Sequence, residues 1–479
     1  MNRKKNLGKN ILITSFVILL LLLTFGMGYM PSSIFGNNGA VNPTPSGDST
    51  LTTFNAVRNV LRQEFYYGEN TDEYDAKLID DALRGMVSAQ NDPYTEYMSP
   101  DELAEFTSSL TANFVGIGVR YTSLESGLLI SEVLDFSPAL EAGVQAGDII
   151  IAVDGRPVSD FEEDELLNNI RGLEGTKVTI TVLRDNEHKD ITITRGQIYT
   201  TVSSSTFGKV GLLTLSSFAD GSVDEVGRHL EKLHNAGCTS LIIDLRDNGG
   251  GYVTTLDGIS AFFMKKGDVI MREYDRNGNE IVDKCTRGPA YSYDKIIILI
   301  NGNSASCSEV FTMAMKENCN AMVVGDVSYG KGVAQVTRTL RNGGAIKYTD
   351  VIWKSGNGVS ISGNGITPDV PVRLHEVLYR SYLIMAEDEV ISYDSVNEKV
   401  VDLQYMLDFL GYEVDRFDGY FSLATQKALK QYQGDHKLTV SGDLDQASAN
   451  SLNSQIVTNW NLHPEIYDLQ LLKAIELAQ

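Results

Sequence analysis

A multidomain chain of mixed α+β and α/β class is predicted by three observations. The chain has 479 residues, enough for about three domains. Between 240 and 325, apolar β-branched runs alternate with helical segments (240–245, 253–264, 295–300, 305–316, 321–325), the pattern of an α/β core. Arg3, Lys4, Lys5 and Lys9 precede an apolar run over 11–29, long enough to cross a bilayer as a helix.

Composition narrows the function. With 42% hydrophobic and 22% charged residues there is material for real cores. A net charge of −23 argues against a nucleic-acid partner, because phosphate binding needs a basic surface. The six histidines lack ligand-like spacing, so neither a metal site nor a cofactor is expected. His229 and His234 fall on an amphipathic helix candidate and are read as surface residues. The four cysteines are read as free thiols.

From the start, 1–10 reads as a cytoplasmic tail and 11–30 as a single-pass membrane anchor, with everything beyond it extracytoplasmic, because the positive flank stays inside. No small-x-small cleavage site follows the apolar run and no lipobox cysteine is present, so the anchor is read as uncleaved. Residues 31–50, rich in Pro, Gly, Ser and Asn, read as a linker. From 51 to 111 the pattern is helical: Phe54, Val57, Val60, Leu61 and Phe65 recur at helical spacing, as do Ile79, Ala82, Leu83, Met86 and Val87. Asp92-Pro93-Tyr94-Thr95-Glu96-Tyr97 reads as a turn whose aromatics are packing anchors. Over 112–198 a Gly-Ile-Gly turn is followed by alternating strands at 177–183 and 190–194.

The region 199–375 holds the chemistry. A helix is expected over 222–236, and the buried strand 240–245 ends in Arg246-Asp247-Asn248-Gly249-Gly250-Gly251. Such a turn could cradle phosphate, but it lacks the Gly-Lys-Ser/Thr of a P-loop. The strand 295–300 leads through Ser304-Ala305-Ser306-Cys307-Ser308-Glu309 into a helix. A serine there suits a nucleophile, since helix N-terminal amides stabilise a developing oxyanion. Ser306-x-x-Glu309 reads equally as a capping box. The strand 321–325 leads to Gly330-Lys331-Gly332, a lysine that a Gly-rich loop could bury or leave solvated. Segment 376–396 reads as a helical connector, 397–455 as a small three-helix domain, and 456–479 as one amphipathic helix.

Ser-Ala-Ser-Cys-Ser-Glu followed by Gly-Lys-Gly-Val-Ala-Gln resembles the signature of the carboxyl-terminal processing (tail-specific) peptidases. Asp244-Leu245-Arg246-Asp247-Asn248-Gly249-Gly250-Gly251 and the segment 357–370 match further motifs of that family, so the resemblance covers about 51–375. It implies a crotonase-like α/β peptidase core, with Ser306 as nucleophile, Lys331 as its general base and Gln335 orienting the lysine. It also implies an oxyanion hole from the backbone N–H groups of Cys307 and of Gly250, or alternatively Gly251. Where the family usually has alanine this chain has Cys307. Residues 112–198 resemble a PDZ domain, in which Gly116, Ile117, Gly118 and Val119 would hold a peptide's terminal carboxylate while the peptide adds a strand to the sheet. Arg171 matches an arginine that in some relatives links this domain to the active site, and the helical region of relatives implies a homodimer. Residues 397–455 resemble a peptidoglycan-binding domain, with Ser422 in place of a usual glycine.

A Ser–Lys dyad needs a neutral amine, and burial can bring a lysine from about 10.4 down to roughly 7–8. The expected protein is a membrane-anchored extracytoplasmic serine endopeptidase recognising apolar C-terminal tails, in envelope or spore-related processing. A non-catalytic PDZ and glycan-binding scaffold is the alternative. A penicillin-type Ser–Lys hydrolase lacks support, because position 309 is Glu where its Ser-x-x-Lys pattern needs Lys.

Overall fold

The computed structural model describes residues 49–111, 114–124, 127–184, 187–198 and 200–479. The tail 1–10, the anchor 11–30 and nearly all of the linker 31–50 lie outside them. Among the described residues no helix is long and apolar enough to cross a membrane. Two compact units result: 1–322 with 327–367, and 323–326 with 368–479.

In the first unit, helices Ser49–Gln63 and Asp72–Ser88 realise the two predicted helical patterns. The Thr71 hydroxyl caps the second by accepting the Tyr74 N–H at 3.1 Å. The expected turn at 92–97 does more than turn. Its end becomes a short strand, Glu96–Met98, paired antiparallel with the long strand Ala345–Ser355. Tyr97 and Met98 are buried there. Three residues carry no hydrophobic period, so this strand had no signal of its own.

The segment resembling a PDZ domain folds around one sheet, in the order Val119–Leu124, Gly127–Val133, Ile149–Val153, Lys177–Arg184, Glu187–Thr194. In Lys177–Arg184 the alternate residues Val178, Ile180 and Val182 point inward and are buried, the two-residue period of a half-covered sheet. They join Ile130, Ile150 and Ile193 in one core. Val119–Leu124 stands at the end of the sheet, paired within it only to Gly127–Val133.

Residues 199–375 build the predicted α/β core on a largely parallel sheet. Val202–Phe207 runs antiparallel to Val210–Leu215, which is followed in parallel by Ser240–Asp244 and Lys295–Ile300. Every residue of Ser240–Asp244, between its neighbours Val210–Leu215 and Lys295–Ile300, is buried. The functional loops leave the C-terminal ends of its strands. A second sheet centres on Ala345–Ser355, which pairs with Val333–Thr339 along one edge and with Glu96–Met98 and Val269–Asp275 along its length.

Helix Ser222–Asn235 matches its prediction, but His229 does not. Val226, His229, Leu230 and Leu233 share one face at helical spacing, and that face is the core side. His229 is therefore buried, with its Nδ1 2.8 Å from Ser204 Oγ, and burial pushes its pKa down to about 4. His234 is exposed as expected. The four cysteines are free.

The second unit packs helices Glu398–Phe409, Leu423–Asp435 and Gln446–Leu462 around Leu403, Leu407, Phe421, Leu429, Tyr432 and Leu452. Two expectations fail here. The connector 376–396 is irregular apart from the 3₁₀ turn Glu376–Tyr379, and isolated bridges Ile391↔Leu444 and Val396↔Tyr420 hold it. The tail is no single helix. Gln446–Leu462 runs past 456, Pro464 opens the short turn Pro464–Tyr467 because it has no N–H to continue the ladder, and Leu469–Ala478 starts afresh.

Candidate active site

Strand Lys295–Ile300 runs into a turn held by hydrogen bonds. The Asn301 N–H donates to Ser304 Oγ at 2.9 Å, and that hydroxyl donates to the Leu245 carbonyl at 2.8 Å. The turn delivers Ser306 at the N-terminus of helix Cys307–Cys319 with φ 60° and ψ −119°. A β-carbon residue at positive φ is strained by about 1–3 kcal/mol, and strain of this kind marks side chains held for chemistry. An ordinary N-cap would have extended backbone. The outline of a capping box is present, but Ser306 Oγ makes no cap hydrogen bond and has no partner among the described residues, although Ser306 is buried. The two readings of Ser306-x-x-Glu309 therefore separate: Glu309 serves the backbone, and the hydroxyl is left over.

Glu309 was legible in the sequence only as a cap. In the fold it ties the two motifs together. Its Oε2 accepts the N–H of Ser306 at 3.0 Å and of Lys331 at 2.9 Å, while Oε1 accepts the Gly330 N–H at 2.7 Å and the Ser328 hydroxyl at 2.5 Å. One buried carboxylate thus fixes the backbone of Ser306 against the backbone of Lys331. Burial pushes its pKa up, and the donors to it offset only part of that rise.

Lys331 is 2% exposed. Desolvation lowers its pKa, Lys347 adds to the fall, and Cys307, Glu309 and Asp92 oppose it; the balance is about 8. Trp353 closes over the loop, donating its Nε1–H to the Lys331 carbonyl at 2.9 Å. Gln335 lies buried on Val333–Thr339 beside a register shift, opposite Thr349. Its Nε2 donates to Thr349 Oγ1 at 3.4 Å, and its Oε1 has no partner among the described residues.

Gly250 lies against Ser306. At φ 106° a β-carbon would meet Ser306 Cβ at 2.8 Å and the Cys307 nitrogen at 3.0 Å, so only glycine leaves that space open. Its own N–H is committed, donated to Asn248 Oδ1 at 2.9 Å, so in this conformation it does not supply the oxyanion donor that the resemblance implied. The physical reason is Asn248, another residue not singled out from sequence. It is fully buried, its Nδ2 donates to the Leu215 carbonyl at 2.7 Å, and its carbonyl accepts the Ala305 N–H at 3.0 Å and the Ser308 hydroxyl at 2.8 Å. Asn248 thereby pins the glycine turn to the nucleophile turn. Cys307 is buried with its Sγ donating to the Gly251 carbonyl at 3.4 Å, and burial drives its thiol pKa far up.

The structure thus gathers Ser306, Lys331, Cys307 and Gly250, with Gln335 alongside. The peptide-binding candidates lie in the other domain. Gly116 pairs with Gly196, Ile117 turns its side chain into the core, and Gly118 needs φ 82° where a β-carbon would strike Ser137 Cβ at 2.4 Å. Val119 begins the edge strand. Arg171 ends helix Glu163–Ile170 with its side chain exposed. The arginine that shapes this region is instead the buried Arg195, which donates to the carbonyls of Asn169, Ile170 and Lys177. Among the described residues no cluster could hold a metal ion.

The sequence profile of Peptidase family S41 matches residues 209–372, which carry Gly250, Ser306, Cys307, Glu309, Lys331 and Gln335. A probable CtpA-like serine protease of Staphylococcus haemolyticus is 32% identical over 412 residues, spanning 85% of this chain and 82% of that one. The chain belongs to peptidase family S41. A probable CtpA-like serine protease of Staphylococcus aureus, 30% identical over 461 residues, spans 96% of this S41 peptidase and 90% of its own length. A PDZ domain is matched over 115–194 and a putative peptidoglycan binding domain over 396–452. Among solved structures, a photosystem II D1 C-terminal processing protease is similar at 22% identity and TM-score 0.39, over 67% of this chain and 86% of that one. A putative S41 protease from Bacteroides fragilis is similar at 14% identity and TM-score 0.39, over 70% and 93%. The protein is a serine-type peptidase with PDZ and peptidoglycan-binding-type domains.

Proposed function

We propose that this S41 peptidase is a Ser306–Lys331 endopeptidase that selects proteins by their apolar C-terminal tails. The carrying observation is a buried lysine amine with pKa near 8, its backbone clamped through Glu309 to that of a serine whose hydroxyl has no hydrogen-bond partner among the described residues. Lys331 Nζ takes the Ser306 proton as Oγ bonds to the substrate carbonyl carbon, and the carbonyl electron pair moves to oxygen. The Cys307 N–H, at the positive end of its helix, faces that charge. Lys331 returns the proton to the leaving amine, and water then releases the acyl group by the same route. Gln335 orients this loop through Thr349.

Among the described residues Val119–Leu124 pairs within its sheet with Gly127–Val133 alone, which supports tail recognition by an added peptide strand. Gly116, Ile117, Gly118 and Val119 would hold its carboxylate, and Arg171 would report occupancy to the active site. The apolar run 11–29 supports a membrane anchor with the catalytic domains extracytoplasmic, and the 396–452 domain supports a peptidoglycan partner in envelope or spore-related processing. The exposed Leu51, Phe54, Val57 and Val60 on helix Ser49–Gln63 support homodimer contacts.

Full-length protein in detergent, wild type beside Ser306→Ala and Lys331→Ala, tests this against an unfolded substrate with a free or amidated apolar C-terminus. Cleavage by wild type alone, favouring the free carboxylate, is expected. Retained cleavage by Ser306→Ala overturns the nucleophile; equal cleavage of both substrates overturns tail reading.

A further inference from the structure

The turn 92–95 belongs to the N-terminal helical region, yet it ends at the catalytic base. Asp92 folds it: Oδ1 accepts the Tyr94 N–H at 3.1 Å and Oδ2 accepts the Thr95 hydroxyl at 2.6 Å. The strand that follows registers it on the second sheet through Glu96↔Lys347 and Met98↔Ala345. The Thr349 N–H then donates to Thr95 Oγ1 at 3.1 Å, and Thr349 Oγ1 is the atom that receives Gln335. So the turn is wired to the glutamine side of the site.

Tyr94 is wired to the lysine side. Lys331 Nζ lies 5.0 Å from the centroid of its ring. The Tyr94 hydroxyl interacts with that of Tyr329, two residues before Lys331, and the Tyr329 N–H donates to the Ser304 carbonyl at 3.0 Å. A ring held over an amine in this way does two things. It excludes water, which favours the neutral amine that must accept a proton. Its negative face also attracts the ammonium formed afterwards.

We infer that Tyr94 is a positioning residue of the catalytic site, its ring roofing Lys331 so that the amine stays dry before proton transfer and the ammonium is stabilised after it. The inference rests on Lys331 being the general base. In the step concerned the Ser306 O–H bond breaks, its proton goes to Lys331 Nζ, and Oγ bonds to the substrate carbonyl carbon. The charge the ring meets is the one this transfer creates. The other titratable groups facing Lys331 are Lys347 from its strand, Cys307 and Glu309 from the nucleophile helix, and Asp92 from the turn itself. None of these is altered by changing the ring at 94.

The test uses the full chain and two readouts: the acid limb of kcat/KM against pH, and titration of the Lys331 Cε resonance in [ε-13C]lysine-labelled protein, assigned by its loss in Lys331→Ala. Tyr94→Leu keeps the roof dry and apolar but removes the quadrupole, so both midpoints should fall by roughly half to one pH unit. Tyr94→Ala opens the roof to water, so both should rise. Tyr94→Phe, which retains the ring face, should return most of the Leu shift. Should Tyr94→Leu fail to fold, the isosteric series of phenylalanines carrying one, two or three ring fluorines at 94 replaces it, with midpoints expected to fall stepwise. Midpoints that coincide with wild type across the Leu, Ala or fluorinated variants overturn the inference. The resonance decides it even if cleavage is absent, whereas loss of the base assignment would show as an acid limb persisting in Lys331→Ala.

Discussion

Glu309 is the residue on which the most depends, because four donors converge on one buried carboxylate. Glu309→Gln keeps the shape but turns an NH2 toward two donors, leaving buried groups unpaired at a cost of about 2–4 kcal/mol. A lower thermal midpoint together with lost cleavage is expected, measured by calorimetry beside Ser306→Ala, which should lose cleavage alone. Lys331 carries the opposite sign. Its folded pKa of about 8 lies below the ordinary 10.5, so the unfolded chain holds the extra proton between those values and stability rises with pH across that window. Below pH 8 the burial costs about 3 kcal/mol. Lys331→Met should therefore be inactive yet more stable than wild type at pH 7, with the gain shrinking as pH approaches 10. Equal denaturation midpoints at both pH values would refute this.

The elements that matter are two turns, and each is set by a neighbour distant in sequence. The glycine turn after Ser240–Asp244 clears space for the nucleophile turn after Lys295–Ile300, and Asn248 pins one to the other. Gly250→Ala would place a methyl 2.8 Å from Ser306 Cβ in a backbone region that alanine avoids. Cleavage should fall by two orders of magnitude or more, as expected when an oxyanion site is obstructed, while the far-ultraviolet circular dichroism stays native. Cys307→Ala should do little to kcat, since the role assigned to that residue is its backbone N–H. A large loss of kcat there would transfer the role to the thiol.

At the scale of the whole first unit, the PDZ domain rests on the peptidase region through a compact contact. Asp135 pairs with Lys232 at 2.6 Å, and Phe136, held at φ 57°, meets the buried His229 ring edge-to-face at 5.0 Å. Burial holds the His229 pKa near 4 in the fold, below the ordinary 6.5, so the unfolded state binds the proton first on acidification. Stability should be lost as pH falls from 6.5 towards 4, and His229→Phe should flatten that loss in urea titrations at pH 7 and 5 if the ring packs as His229 does. An unchanged pH slope would count against it.

Several features were decided by sequence alone, because they are local or periodic. Helical spacing located Ser222–Asn235, two-residue alternation located Lys177–Arg184, and the order of apolar runs placed the glycine, serine and lysine motifs at strand ends. Tertiary structure alone decided which face of a helix is the core, which placed His229 inside. It also decided that Glu309 serves two loops and that Gly250's N–H is taken by Asn248. It brought a three-residue strand from the N-terminal region onto the second sheet, carrying Tyr94 to Lys331. These are contacts between residues tens to hundreds of positions apart. They leave no period or spacing in the chain, and only the packing of strands and turns brings them together.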